Sequence, residues 1–537
     1  MKSNYVLFLV LSFLVIIGSN FLIGPPEDKE KIVKEKPTEQ FNVQEDSYVV
    51  KDDSAFNTGS SGNMSSVKFS TPLLEGRISS NGGRIHSVQL KTYFEDSGSL
   101  KPIKLLKGQE FISNTIIKFK DINFGKEIQY TPNKRNIVIT SQGDSLSMIS
   151  KVSNIRLEKT YSFVPDSYAI QQNILVVNNS NKNLIFRVFE EAVGEIDGKE
   201  HVLFNYHADQ DMETVTSNPS EAEKIIADID WYGFGKKYFL ASSILNQDGE
   251  KTLKYKKHSK KNLRSLLSYR TISLTPGSQY SINSTIFLGP KDPEILSKLG
   301  KDFEKAQDLG WFEWLAVPLE KLLKIFNRFI NNYGVSIIVI TILIRLLFLP
   351  LTVKSMMSMK KMQAKMAIIK PQLDEIKEKY KDDKAAQNSE TMKVYAKEGM
   401  NPLSSLSGCL PMLVQLPVFV ALYNVLLYSL DLRHSDFLWI DDLSSPENLF
   451  DIPGIGIPFR VLPLLMGVSW FITQKMTPPN PGADEFQQKV FQYMPIMFTV
   501  MFWGLPSGLI LYWTISNVIS IFQQIYINQK YKKMQGV

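Results

Sequence analysis

Cysteine is almost absent. The 537 residues contain one, Cys409, which excludes an intramolecular disulfide and a multi-cysteine metal site. The five histidines are scattered, and no HExxH, GxSxG or glycine-rich phosphate loop occurs, so the common metalloprotease, serine-hydrolase and nucleotide-binding constellations are missing. Long apolar runs are lacking through the middle of the chain: one lies near the N-terminus, and none follows until about residue 333. Neither redox chemistry, zinc nor a nucleotide is suggested, and no cofactor is expected.

What is present divides in two. A chain of this length with a formal charge of +7 and 44% apolar residues is too long for one ordinary domain and too mixed for a purely membranous one. The first apolar run, "NYVLFLVLSFLVIIGSNFLI" (4–23), follows Lys2 and lacks a clear A-x-A site, so it reads as a retained anchor, with a cleaved signal peptide as the alternative. Residues 24–64 offer too little apolar surface to offset the entropy of ordering and read as a tether. From 65 to 302 come short alternating segments such as "IQQNILVV", "LIFRVFEE" and "YSINSTIFL", broken by Asn-Gly, Pro-Asp and Pro-Gly. That period of two predicts an antiparallel β-sandwich. His86, His201 and His207 have acids nearby, but no spacing marks them as catalytic, and a scaffold or docking role is expected for this domain.

The second half is helical. Over 303–332, Leu315, Leu319, Leu322, Leu323, Phe326 and Ile330 recur opposite Glu320, Lys321, Lys324 and Arg328, with Trp311 and Trp314 at the start. This predicts an amphipathic helix in the membrane interface; packing on the soluble domain would leave the same pattern. Candidate spans follow at roughly 334–353, 410–430, 458–474, 490–505 and 508–527, the last two separated by "GLPSG", where Pro506 and Gly508 favour a reversal.

Loop charge orients these spans. Residues 354–400 carry eleven lysines, whereas 431–458 carries six acids and Arg433. By the positive-inside rule the first loop is cytoplasmic and the second is not. With the basic tail 531–537 inside, six spans place both termini in the cytoplasm and residues 24 to about 310 outside it. The cytoplasmic loop begins with Met359, Met362, Met366, Ile369, Leu373, Ile376 and Tyr380 on a seven-residue repeat, and Met392, Tyr395 and Met400 can begin a return helix. A helical hairpin is expected. Its methionines suit either its own seam or varied apolar partners, and Lys360 and Lys361 suit solvent or anionic lipid.

One letter is out of place in "GVSIIVITILIRLLFLPLTV". Arg345 has eleven residues of the stretch before it and eight after. In a straight helix that is roughly 12 to 17 Å from either end, near the middle of a ~30 Å hydrocarbon layer. A structural ion pair, snorkelling to an interface and a functional role are the available readings. No Asp or Glu occurs in the five later spans to pair with it. Thr341 and Thr352 share its face, Gln415 lies near the cytoplasmic end of the next span, and the last span carries Tyr512, Ser516, Ser520 and Gln523 along one stripe with Trp513, Asn517 and Gln524 along another. Helix-to-helix hydrogen bonding would account for the Ser, Asn and Gln residues. An unpaired cation instead implies a wet cavity open to cytoplasm or lipid.

These residues carry a resemblance. "WYGFGKKYFLASSIL", "FLGPKD", "GVSIIVITILIRLLFLPLT", "GCLPMLVQLPVFVALYNVL" and "LPSGLILYWTISNVISIFQQ", in this order, resemble the YidC/Oxa family of membrane protein insertases in its long bacterial form. The resemblance implies a multi-domain protein of the bacterial inner membrane: six transmembrane helices (an N-terminal anchor plus a five-helix core), a large periplasmic all-β supersandwich, an interfacial helix and a cytoplasmic hairpin. It implies a non-enzymatic insertase and chaperone, acting alone or beside the Sec translocon on nascent membrane proteins. A hydrophilic groove would be lined by Arg345, Thr341, Gln415, Tyr512, Trp513, Ser516 and Asn517. Hairpin contacts through Met359, Met362, Met366, Lys360 and Lys361 would receive substrate or ribosome. Membrane lipids would be contacted, no nucleic-acid sequence read, and a monomer would suffice. Two departures are the extra residues around Ser404–Ser407 and Leu505 where phenylalanine commonly precedes "PSG". A small-anion transporter or channel is the alternative for a lone basic residue in a cavity, although no internal repeat supports it.

Overall fold

The computed structural model describes residues 65–95, 99–122, 128–196, 203–215, 223–259, 261–397, 410–454, 456–477 and 485–534. The anchor 1–23, the tether 24–64, His201, Met400, Ser404–Ser407 and Cys409 lie outside the described residues. Two compact units divide at Ala306 and Gln307.

The first unit is β-rich. One sheet of eleven strands runs Glu223–Ala227, Lys251–Lys257, Asn262–Ser268, Leu184–Glu195, Phe111–Phe119, Ile85–Phe94, Leu74–Ser79, Ser66–Ser70 and Asn136–Val138, with Ile272–Leu274 and Pro102–Lys104 as side pairings. A second, of nine, runs Asp211–Val215, Leu203–Ala208, Ile229–Gly235, Phe239–Leu245, Gln279–Pro290, Ala169–Asn178, Ile155–Phe163, Asp144–Val152 and Thr131–Pro132. All pairings are antiparallel except Ser66–Ser70 with Asn136–Val138. Alternation does the sorting: in Ala169–Asn178 the side chains of Ile170, Gln172, Ile174, Val176 and Asn178 are buried while the alternate ones are not. Phe239–Leu245 is buried throughout, because the segment after Pro290 covers part of its sheet. Phe303 from that segment stands edge-on to Trp231 and Phe287 at 5.2 and 5.3 Å between ring centroids. In "WYGFG", Gly233 is required by close approach, since a Cβ there would collide with the Ala241 carbonyl of the paired strand.

The sheets meet across polar as well as apolar groups. Lys159 and Glu190 are both fully buried. The Lys159 ammonium donates to the Ser113 hydroxyl at 3.0 Å and to the Ser113 carbonyl at 2.5 Å, and Gln172 donates to Glu190 at 3.1 Å. Burial pushes the Lys159 ammonium down to about 7, with Glu190 opposing the shift, and burial raises the Glu190 carboxyl, with Lys159 opposing.

The second unit is helical. Its helices are α1 (Glu313–Ile330), α2 (Tyr333–Leu347), α3 (Leu349–Lys379), α4 (Lys384–Lys397), α5 (Leu410–Tyr428), α6 (Val461–Met476), α7 (Glu485–Met501) and α8 (Ser507–Met534). Among the described residues only Ser507–Tyr531 within α8 is by itself long and apolar enough to cross a membrane, and α2 with α3 passes as a pair bent by 57°. The expected straight span 334–353 is therefore corrected: it breaks at Phe348. Pro350 lacks the N–H that would continue the ladder and sits in the first turn of α3 instead. The expected face of α1 is also corrected. Ala316, Leu319 and Leu323 are buried, together with Glu320 from the charged side, while Leu322, Ile325 and Phe329 are exposed. α1 packs against α2 and α5, and the Gln307 amide reaches Glu320 at 3.5 Å, which gives the carboxylate a polar neighbour.

One loop ties helix ends together. The buried Glu447 carboxylate accepts from the Val461 and Leu462 amides at 3.1 and 2.7 Å and from the Trp439 indole at 2.6 Å. It satisfies orphan donors at the start of α6 and complements the helix dipole. The Leu443 and Ser445 carbonyls accept from the Gly508 and Ser507 amides at the start of α8, at 2.9 and 2.8 Å.

Two outcomes are expected. Glu447→Ala should destabilise the helical unit by about 1 to 3 kcal/mol, since it strands three donors, and hydrogen exchange at Val461 and Leu462 should rise. In the β-unit, the unfolded chain holds the Lys159 proton up to about pH 10.4, whereas the folded chain releases it near 7. The unfolded state then binds more protons between these limits, so stability should rise from pH 7 to 9, by at most about 1.4 kcal/mol per unit. Denaturant titration should show that slope in the native chain and its loss in Lys159→Met.

Candidate functional site

The site is built on α2. Its N-cap Asn332 accepts from the Val335 amide at 3.0 Å. The Thr341 hydroxyl, fully buried, returns to the Ile337 carbonyl at 2.6 Å, so it is satisfied within its own helix. Arg345 falls in the last turn, two residues before the helix ends, where a cation complements the exposed carbonyls. Its side chain is half-buried, its Nε is buried without a hydrogen-bond partner, and no carboxylate lies within ion-pair distance of it among the described residues.

One neighbouring helix faces this cation and is itself held by another. Tyr512, on α8, is near enough for its hydroxyl to interact electrostatically with Arg345. Gln415, on α5, donates its side-chain amide to the Tyr512 hydroxyl. The Ser516 hydroxyl, one turn further along α8, lies beside that of Tyr512. Because the phenol oxygen accepts from Gln415, its own proton is free to turn away and its oxygen dipole can face the guanidinium. Arg345 therefore meets the neutral Tyr512 dipole of α8, held in turn by Gln415 of α5, and no counter-charge among the described residues.

The second stripe of α8 does something else. Asn517 donates to the Ser469 hydroxyl of α6 at 3.2 Å, and the Gln524 amide lies 2.8 Å from the Thr477 hydroxyl just beyond α6. Trp513 packs among Phe419, Phe502 and Trp470, at centroid distances of 4.7, 5.0 and 5.5 Å. Arg345, Tyr512, Gln415 and Ser516 are thus brought together, whereas Asn517 is turned toward α6 and serves helix packing.

The helices α3 and α4 form an antiparallel pair joined at 380–383, where the Asp383 carboxylate accepts from the Ala385 and Ala386 amides at 3.0 Å each. Met366 and Ile369 are buried in the seam, Met359 and Met362 are partly exposed, and Lys361 is exposed. Of these three methionines, Met366 is the one buried within the chain. The Lys360 ammonium lies over the Tyr531 ring of α8 at 5.3 Å, so it too is engaged within the chain.

In the β-unit the histidines resolve as structural. His207 is buried, 2.9 Å from the Asp230 carboxylate and stacked on Trp231. His86 is half-buried; burial, with Arg84 and Arg77 nearby, holds its imidazole below the ordinary range. Among the described residues no three His, Cys, Asp or Glu side chains are grouped to hold a metal ion. Two contacts had no signal in the sequence. The Gln415–Tyr512 bond joins residues 97 apart, and the Asn424 amide donates to the Leu309 carbonyl, 115 residues away, at 2.7 Å.

Known proteins match over both units. Residues 66–322 match the family described as YidC periplasmic domain, and residues 325–534 the family described as 60Kd inner membrane protein. The membrane protein insertase YidC of Geotalea daltonii is 32% identical over 98% of this chain and 99% of its own length. That of Pelobacter propionicus is 42% identical over 70% of this chain and 69% of its own. A crystal structure of an active YidC insertase with its first transmembrane domain resolved aligns over 84% of this chain and 90% of its own, at 17% identity and a TM-score of 0.35. A putative aldose 1-epimerase from Escherichia coli aligns over 42% of this chain and 99% of its own, at 12% identity and a TM-score of 0.29. With relatives matched at this identity along nearly its whole length, the chain belongs to the YidC family of membrane protein insertases.

Proposed function

We propose that Arg345, Tyr512, Gln415 and Ser516 line a hydrophilic groove through which this insertase draws the short polar flank of a nascent membrane protein, while the adjoining apolar segment enters lipid. The observation that carries the reading is a half-buried guanidinium with the Gln415-held Tyr512 hydroxyl beside it and no carboxylate within ion-pair distance among the described residues. A cation placed so is stabilised by water or by a transient acidic group. An acidic flank entering from the cytoplasm supplies that group, and the attraction is stronger in the lowered dielectric than in water. Burial of the apolar segment drives the step.

In this reading the chain has six spans, with both termini cytoplasmic and a periplasmic supersandwich. α1 lies in the interface, where its exposed Trp311, Trp314 and Phe329 meet headgroups. The hairpin α3–α4 is cytoplasmic, and Met359, Met362 and Lys361 are its surface for substrate or ribosome. The protein works as a monomer, alone or beside the Sec translocon.

Insertion of a single-span substrate into liposomes containing only this protein, scored by protease protection of the translocated flank, tests the reading. Protection well above empty liposomes is expected. Protection equal to the empty control, with folded protein, would refute autonomous insertion. Arg345→Ala should lower insertion of acidic-flank substrates about tenfold, a loss of ~1.4 kcal/mol, and Arg345→Lys should retain most of it; equal loss in both would assign Arg345 a geometric role. Tyr512→Phe removes a dipole and strands the Gln415 amide, so a smaller loss of about two- to fivefold is expected, in keeping with ~0.5 to 1 kcal/mol for one hydrogen bond.

A further inference from the structure

A row of basic side chains crosses the outer face of the eleven-stranded sheet. Lys68 stands directly opposite Arg77, and Arg77 directly opposite His86, on three consecutive strands. In the next row Glu75 pairs with Gln89, and Gln89 with Lys104. Like charges placed opposite one another across strands are destabilising. Here the sheet holds them together around a concavity of about 290 Å³, whose walls include Lys68, Arg77, Lys104 and Lys107 and whose floor includes Ser87 and Gln89.

Counter-charge within the fold covers only part of this. Glu75 pairs with Lys68 at 2.6 Å, and Glu195 reaches Lys107 at 3.2 Å from outside the concavity. Among the described residues no carboxylate lies within ion-pair distance of Arg77 or Lys104, and the nearest polar partner of the Arg77 guanidinium is the Ser66 hydroxyl at 3.4 Å. With Lys68 and Lys107 each paired, Arg77 and Lys104 are left to make the cavity electropositive. Backbone geometry keeps it open: the strand register slips between Glu75 and Arg77 at Gly76, where a Cβ would collide with the Phe69 ring, and Gly108 on the rim has φ +61° with nothing within 4 Å of where a Cβ would sit.

We infer that this basic concavity of the β-unit is a docking site for an acidic, extended polypeptide segment, the extracytoplasmic flank of a membrane protein delivered by the insertase. Charge complementarity identifies the occupant. Segments left outside the cytoplasm are poor in Lys and Arg, and the 431–458 loop of this chain, with six acids, shows the charge such a segment carries. The volume suits one or two acidic side chains, and Gln89 and Ser87 offer hydrogen bonds to a peptide backbone. The identity of the occupant rests on the insertase reading; the cationic cavity does not.

The test is direct binding to the full-length protein in detergent. The probe is a fluorescein-labelled octapeptide of Asp and Ser, with the Asn and Ser counterpart, inorganic phosphate and phosphatidylglycerol vesicles as competitors. The acidic peptide should bind and weaken as salt rises from 50 to 200 mM, because the contacts are exposed, while the Asn peptide should not compete. Arg77→Gln with Lys104→Gln should weaken it about tenfold. Glu75→Gln, which frees Lys68 and removes the resident acid, should tighten it. Opposite signs from two exposed sites separate a charge effect from misfolding. Equal binding of acidic and neutral peptides, or affinity unmoved by both sets of substitutions, would overturn the proposal. So would vesicles or inorganic phosphate displacing the peptide more strongly than unlabelled acidic peptide, since the ligand would then be a phosphate group. Binding needs no insertion step: native peptide affinity with failed liposome insertion would count against the insertase reading alone, and the converse against the docking site alone.

Discussion

A guanidinium without a counter-ion on an apolar helix is the constraint around which the helical unit is arranged. Placing Arg345 in hydrocarbon carries a cost of at least ~2.5 to 3.5 kcal/mol by insertion scales, and none of the five apolar spans after residue 333 contains an acid to offset it. The structure answers with dipoles. The Tyr512 hydroxyl of α8, held by the Gln415 amide, faces the cation, and the carbonyls at the end of α2 lie on its own helix. Dipoles lower the cost without neutralising the charge, so the site keeps an attraction for anions that a resident carboxylate would have quenched.

The remainder of that unit keeps the three contributing helices in place. Glu447 caps α6, and backbone carbonyls of the same loop hold the first amides of α8. Asn517 and Gln524 fasten α8 to α6 and its C-terminal end. These bonds lie on a different stripe of α8 from Tyr512 and Ser516, so one helix carries its packing contacts and its neighbours of Arg345 on separate faces. The bend at Phe348 then redirects the chain from an apolar helix into the lysine-rich α3 within a few residues of the arginine. Family membership gives this arrangement its purpose, and the small-anion transporter that the same lone arginine suggested gives way to an insertase.

Charge is managed differently in the β-unit. Inside, a lysine and a glutamate share a dry interface with Gln172 and Ser113, where each is costly alone. Outside, Lys68 and Arg77 face each other across strands where solvent screens part of their repulsion, with His86 opposite Arg77. The buried cluster constrains how the two sheets register, and the exposed row presents an unneutralised surface.

Much of this was legible along the chain, because the responsible forces are local. Period-two alternation follows from the pleat and marked strands such as Ala169–Asn178, and a seven-residue repeat ran through Met366 and Ile369, both buried on α3. The resemblance to insertases was carried by whole motifs, and Arg345 was conspicuous because a charge in an apolar run has no local explanation. Only the tertiary structure decided which polar side chains meet. It joined Gln415 to Tyr512, sent Asn517 to α6, buried Glu320 on the apolar side of its helix, broke the arginine span at Pro350 and set Lys68 against Arg77. Helical and strand periods determine the face on which a residue lies, whereas the partner it finds there depends on how segments tens to hundreds of residues apart are packed.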